Sequence, residues 1–152
     1  MTRSRPDQAV EQLFDEHYTR LVRLAAALLD DVDECEEIVQ DAFAALLRVD
    51  GGPAPGKEAP YLRSAVLNGA RSRLRRRGVR RRHLAPAPTP EPSAEGVAVD
   101  RVEMQRVLSA VRGLPRRQSE VLLLRYHADL SETEIADTLG ISPGSVKTHA
   151  SR

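Results

Sequence analysis

The last quarter of the chain, Leu130 to Arg152 (LSETEIADTLGISPGSVKTHASR), leaves little freedom in how it can fold. Ser131 can cap a helix, and Glu134 three residues later can reach back to complete a capping box. Ile135, Ala136 and Leu139 then recur at helical spacing as an apolar stripe. Gly140 stands where a helix must stop and a positive φ angle suits the backbone. Ile141 can plug the corner. Ser142 followed by Pro143 restarts a helix, with a capping hydroxyl before a proline at the first helical position. That second helix turns Val146 inward and presents Ser145, Lys147, Thr148, His149, Ser151 and Arg152. Two short helices joined this way form a helix-turn-helix pattern, whose second helix enters the major groove of DNA. An ordinary hairpin in a core would not need an outer face so uniformly small, polar and basic.

Ahead of this segment the charge is sharply divided. Asp7 to Asp50 carries twelve acids and three bases, whereas Lys57 to His83 carries ten bases and one acid. Two surfaces with different partners are expected. With two phenylalanines, three tyrosines and no tryptophan against abundant Leu, Ala and Val, helical bundles are favoured over a sheet core. The expected fold is all-α: two small helical bundles joined by a flexible Pro/Ala-rich linker, the second ending in the helix-turn-helix.

The first helical pattern runs from about Pro6 to Leu29, with Leu13, Phe14, Tyr18, Leu21, Val22, Ala25, Leu28 and Leu29 on its apolar face. Asp31 or Asp33 can cap a second helix reaching about Val49, with Cys35, Ile38, Val39, Ala42, Phe43, Leu46 and Leu47 inside. Its first turns hold Asp30, Asp31, Asp33, Glu34, Glu36, Glu37 and Asp41. Acids favour a helix N-terminus, but seven exceed what capping requires. They form either a solvated face or a docking surface for a basic partner. The lone Cys35 reads as a small core residue.

The loop DGGPAPGKEAP ends that helix. A third helical pattern follows from Tyr61 to about Arg82, with Leu62, Ala65, Val66, Ala70 and Leu74 inside and Arg63, Asn68, Arg71 and Arg73 outside. Eight arginines between Arg71 and Arg82 form a polyanion footprint. Leu84 to Asp100 (LAPAPTPEPSAEGVAVD) cannot hold a core and reads as a mobile tether of roughly 20 to 50 Å. Beyond it, Arg101 to Arg112 carries Val102, Val107, Leu108 and Val111 as a stripe. Gly113 stops that helix and Pro115 starts another, with Val121, Leu122 and Leu124 inward and Arg116, Arg117 and Arg125 outward.

Together these segments resemble bacterial sigma factors of the extracytoplasmic-function (ECF, group IV) type. FDEHYTRLVRLAAALLDDVDECEEIVQDAFAALLRV and YLRSAVLNGARSRLRRR are similar to region 2, and LSAVRGLPRRQSEVLLLRYHADLSETEIADTLGISPGSVKTHASR to region 4. The resemblance implies a region 2 domain over residues 6–83, a linker over 84–100 and a region 4 domain over 101–152. It implies a protein that binds core RNA polymerase and directs promoter recognition and transcription initiation. Glu37, Gln40 and Asp41 would meet polymerase. Lys57, Tyr61, Arg63, Asn68, Arg71 and Arg75 would serve minus-10 DNA. Ser142, Gly144, Ser145, Lys147, Thr148, His149 and Arg152 would meet minus-35 DNA. Many members have aspartate at the position of Ser72 and tryptophan at that of Tyr61. The chain also ends at Arg152, inside a helix that members usually continue, so either the protein runs on beyond an apparently truncated region 4 or its reader helix is unusually short. An anti-sigma factor is a further partner by family habit.

A competing reading is a stand-alone helix-turn-helix regulator, but the N-terminal half lacks the strand-helix alternation of a receiver domain. An enzyme on nucleic acid is disfavoured. His17, His83, His127 and His149 show no metal-ligand spacing with Cys35, and no phosphate loop, nucleophile elbow or HExxH pattern occurs. No metal or cofactor is expected. The chain shows neither a signal-peptide pattern nor a membrane-length apolar run, so a cytoplasmic location without membrane insertion is the expectation.

Overall fold

The computed structural model describes residues 5–49, 56–81 and 97–151, with the side chains of all of these except 5–7, 79–81 and 97–101. Every regular element among these residues is helical. They are α1 (Arg5–Ala26), α2 (Val32–Arg48), α3 (Glu58–Arg81), α4 (Val97–Arg112), α5 (Arg116–Leu122), α6 (Glu132–Leu139) and α7 (Pro143–Ser151), and α5 runs on into a π-helical turn at Leu123–His127.

The first bundle is built by α1, α2 and α3. Leu24, Leu29, Val39, Leu62 and Val66 are fully buried at its centre. Asp31 caps α2 by accepting from the Asp33 and Glu34 amides at 2.9 and 3.3 Å. Phe14 stacks on Tyr18 with centroids 4.5 Å apart and tilts against Phe43 at 5.2 Å, closing one end. Cys35 is wholly buried, and burial, followed by Asp31 and Glu34, raises its thiol above the ordinary value. Such a thiol holds less thiolate and packs as a small apolar group.

A close approach of α3 to α2 is permitted by Gly69. A Cβ added there would lie 2.9 Å from Ile38 Cγ2. Ile38 is buried and β-branched, so it has no easy rotamer escape. Gly69→Leu is therefore expected to cost about 1–3 kcal/mol through overpacking, read as a lower urea midpoint. An unchanged midpoint would show that the two helices are not in tight contact.

The second bundle is smaller. Val121, Leu123, Leu124, Ile135, Ala136 and Val146 are buried between α5, its π turn, α6 and α7. The π turn ends as the Leu130 amide donates to Leu124 O at 3.0 Å, with Asp129 in the left-handed region at φ 56. Short polar side chains tolerate that conformation better than bulky ones.

Several boundaries and faces differ from the sequence reading. Helix α1 ends at Ala26 rather than Leu29, because Ala27 and Leu28 turn the chain while staying buried. Leu47 is 62% exposed, one position beyond the buried stripe that ends at Leu46. Leu67 on α3 is buried although the apolar pattern left it out. Val102 and Val107 are exposed, whereas Leu108 and Val111, nearer the C-terminal end of α4, pack partly against the core. Leu123, not Leu122, joins the core, since the wider π turn shifts which residues point inward. Helix α4 starts at Val97, so residues 97–100 of the expected tether are helical; the remainder, with Arg82 and the proline-rich start of the loop before Gly56, lies outside the described residues.

Candidate nucleic-acid and polymerase interfaces

The helix-turn-helix is assembled by its caps. Ser131 Oγ accepts from the Glu134 amide at 3.2 Å, and Glu134 Oε1 accepts from the Ser131 amide at 3.2 Å, completing the reciprocal box. These hydrogen bonds from Ser131 hold the Glu134 carboxyl below its ordinary value. Gly140 takes φ 67 and ψ 34, and the Ile141 amide donates to Ala136 O at 3.1 Å. Ser142 Oγ then accepts from the Ser145 amide at 3.1 Å and starts α7 one residue ahead of Pro143.

On α7 Val146 is fully buried and fixes the helix face. Lys147, Thr148 and Ser151 are exposed, as are Ser142 and Gly144; Ser145 and His149 are half-buried. Thr148 Oγ1 bonds back to Gly144 O at 3.0 Å, which turns its hydroxyl along the helix. Lys147 Nζ stays within 3.9 Å of Glu132, a loose pair with the lysine largely in solvent. Arg152 lies outside the described residues.

The acids of α2 have three fates. Asp31 caps the helix. Glu34 lies between α2 and α3 and pairs with Arg77 and, at 3.5 Å, with Arg73; Glu37 reaches Arg73 at 3.4 Å. Gln40 and Asp41 are exposed, as is most of Glu37. The sequence reading offered a solvated face or a docking surface. The structure adds an internal role, in which part of the acidic face neutralises part of the arginine-rich helix.

On α3 the outward placement expected for Arg63, Arg71 and Arg73 is corrected. Arg63 Nη1 donates to Thr138 Oγ1 at 3.1 Å, and its Nη2 lies 3.7 Å from Glu134. Arg71 pairs with the buried Glu120, whose other arginines are Arg116 at 3.1 Å and Arg117 at 3.6 Å. Burial raises the Glu120 carboxyl above its ordinary value, and Arg117 and Arg116 draw it back. Lys57, ahead of α3, pairs with Asp137 at 2.9 Å. Arg63 and Arg71 are partly buried because α3 packs against α6 and Arg71 meets Glu120 of α5, and these neighbours bring carboxylates to satisfy them. Tyr61 packs partly against the core, whereas Asn68 and Arg75 remain exposed, Arg75 donating to Ser72 Oγ at 3.4 Å.

Two further groups join the bundles: Arg112 Nε donates to Ala27 O at 2.8 Å, and His127 Nε2 lies 3.1 Å from Arg23 O. Sequence reasoning missed Glu120 altogether. Its signal was available, since an acid one turn before the apolar Leu124, with arginines three and four residues behind it, shares a face with the core.

The folded chain thus joins a helical bundle with an acidic exposed face to a capped helix-turn-helix. That is the anatomy of a helix-turn-helix DNA-binding transcription factor. Residues 13–80 match the family description Sigma-70 region 2, and residues 104–152 match Sigma-70, region 4. The chain is 28% identical over 96% of its length to the ECF RNA polymerase sigma factor SigE of Mycolicibacterium smegmatis, and spans 60% of that relative. It is 27% identical over 95% of its length to the RNA polymerase sigma factor CarQ of Myxococcus xanthus, covering 84% of it. Among solved structures, CnrH in complex with the cytosolic domain of CnrY shares the fold at TM-score 0.67 and 22% identity, over 96% of this chain and 82% of that one. The sigma factor RpoE of Bartonella quintana, solved with the anti-sigma factor NepR, shares it at 0.64 and 22%, over 93% of this chain and 91% of that one. The chain belongs to the sigma-70 family, as a sigma factor of the ECF type. No helix among the described residues is long and apolar enough to cross a membrane.

Proposed function

We propose that this chain is a promoter-specificity subunit that joins core RNA polymerase, brings it to minus-10 and minus-35 DNA and starts transcription there. The observation that carries this is the pairing, in one chain, of the open acidic surface of Glu37, Gln40 and Asp41 with a reader helix fixed by Val146. In this reading residues 6–83 act as region 2, 84–100 as the linker and 101–152 as region 4. Lys57, Tyr61, Arg63, Asn68, Arg71 and Arg75 serve the minus-10 strand. Aromatic and guanidinium groups can stack on an unpaired base and offset the few kcal/mol that unstacking costs. Ser142, Gly144, Ser145, Lys147, Thr148, His149 and Arg152 serve the minus-35 duplex, with hydroxyls and cations meeting phosphates or base edges.

The chain acts in the cytoplasm as a binding protein, and polymerase supplies the catalysis; no cofactor is needed. RpoE is seen in complex with the anti-sigma factor NepR and CnrH with the cytosolic domain of CnrY, and we extend an anti-sigma partner to this chain. A stand-alone regulator would have no use for the region 2 half. Immobilised chain should retain purified core polymerase, and failure to retain it would refute the proposal. Lys147→Ala should weaken promoter binding and lower the magnitude of the log affinity against log salt slope by about 0.9, as one lost phosphate contact requires. An unchanged slope would remove Lys147 from the interface.

A further inference from the structure

We propose that a cleft between α1, α3 and the π turn binds a small organic phosphate, held by Arg20, Arg23 and Arg63 with His17 and His127 beside them. The cleft has a volume of 380 Å³, within the range of pockets that enclose small-molecule ligands. Neither the polymerase nor the promoter assignment uses His17, Arg20, Arg23 or His127, so the site stands apart from that function.

The charges of the cleft are unbalanced. His17, Arg20 and Arg23 follow at three-residue steps on α1, which sets successive side chains beside one another. Neither Arg20 nor Arg23 has a carboxylate partner among the described residues. The dipole at the C-terminal end of α1 favours Arg23, but α3 adds Arg63, close enough to Arg20 that the two repel. Asp129 and Glu134 also line the cleft. Glu134 is already committed to the Ser131 amide and lies 3.7 Å from Arg63. Three guanidiniums thus meet two carboxylates, an excess of cation before either histidine is protonated. Burial lowers the His17 imidazole below its ordinary value, with Glu16 drawing it up and Arg63 and Arg20 pressing it down. At neutral pH that ring is uncharged and can donate one N–H.

The lining selects the chemistry of the ligand. Each arginine presents a planar fork of donors that grips phosphate oxygens in pairs. A phosphate monoester carries close to two charges and three terminal oxygens near neutral pH, enough for forks from both α1 and α3. A carboxylate satisfies one fork. Leu21, Leu24 and Leu62 line the floor, which calls for an apolar body behind the phosphate, since a bare inorganic ion would leave that surface wet. The enclosed shape favours a small molecule over a nucleic-acid strand. The ligand would tie α1 to the π turn, where His127 Nε2 already lies 3.1 Å from Arg23 O.

The test titrates the full chain with phenyl phosphate by calorimetry at physiological salt, with inorganic phosphate and benzoate alongside. One saturable site, at least about tenfold tighter for phenyl phosphate than for either comparison ligand, is the expected result. At ten times its Kd, phenyl phosphate should raise the thermal midpoint by about 3–5 °C. The ring resonances of His17 and His127 should shift during the titration, while those of His149 on α7 stay in place. Arg20→Gln/Arg23→Gln, at exposed positions, should weaken binding at least about tenfold with unchanged circular dichroism. Arg20→Lys, which keeps the charge but loses the fork, should weaken it several-fold and serves if the double variant does not fold. No saturable binding, equal affinity for inorganic phosphate, or undiminished binding by a folded variant would overturn the proposal. Stronger shifts of the same rings by a short DNA strand would make the cleft a promoter contact, and would overturn it too.

Discussion

Reversal of Glu37 and Asp41 to lysine is expected to weaken assembly with core polymerase at least a hundredfold while leaving the helical circular dichroism unchanged. Both side chains lie on the open face of α2, past its first turn, so neither caps the helix. Placing like charges opposite each other at an interface costs several kcal/mol, and every 1.4 kcal/mol is a factor of ten. Glu37 has one internal partner, Arg73 at 3.4 Å. Arg73 keeps Glu34 at 3.5 Å, so the first bundle retains a tie between α2 and α3. Normal assembly by the variant, measured by native gel or calorimetry, would remove this face from the polymerase contact.

Val146→Asp is expected to abolish minus-35 binding through the fold of the reader rather than through any DNA contact. Val146 is fully buried where α7 meets α5 and α6. A carboxylate there would be desolvated without a partner, and penalties of this kind rank among the largest single-residue effects, about 3–5 kcal/mol. A small bundle cannot absorb that loss. Leu24, Leu62 and Val66 are buried on α1 and α3, not on the helices that Val146 joins, so much of the helical signal and polymerase binding should survive. Retained duplex binding with unchanged thermal unfolding would contradict the placement of α7.

Local signals were read well from sequence where a single residue type decides the geometry. The capping box of Ser131 and Glu134, the left-handed Gly140, the Ser142 cap, the Asp31 cap and the buried Cys35 all stand as expected. Those features depend on neighbours within four residues, which a sequence displays directly. What it hid was longer in range. Nothing adjacent to Arg63 or Arg71 announces Glu134 or Glu120, because the partners lie 71 and 49 positions away in the chain. The arginines therefore read as an open polyanion footprint, while in the folded chain Arg71, Arg73 and Arg77 are taken up by Glu120 and Glu34, and Arg63 by Glu134. The π turn at Leu123–His127 likewise moved Leu123 into the core, since a local change in helical period cannot be inferred from spacing alone. DNA reading by the helix-turn-helix follows from the residues themselves; the assignment of particular side chains to minus-10 DNA, minus-35 DNA and polymerase comes from resemblance, with geometry supplying the exposure and partners of each.

Run-off transcription by purified core polymerase, with and without this chain, on a library of promoter-length duplexes tests the central claim most directly. Transcripts that start at defined positions only when the chain is present, from templates sharing an upstream and a downstream element, are the expected result. Start-site patterns identical with and without it, in a mixture where the chain is folded, would contradict the account.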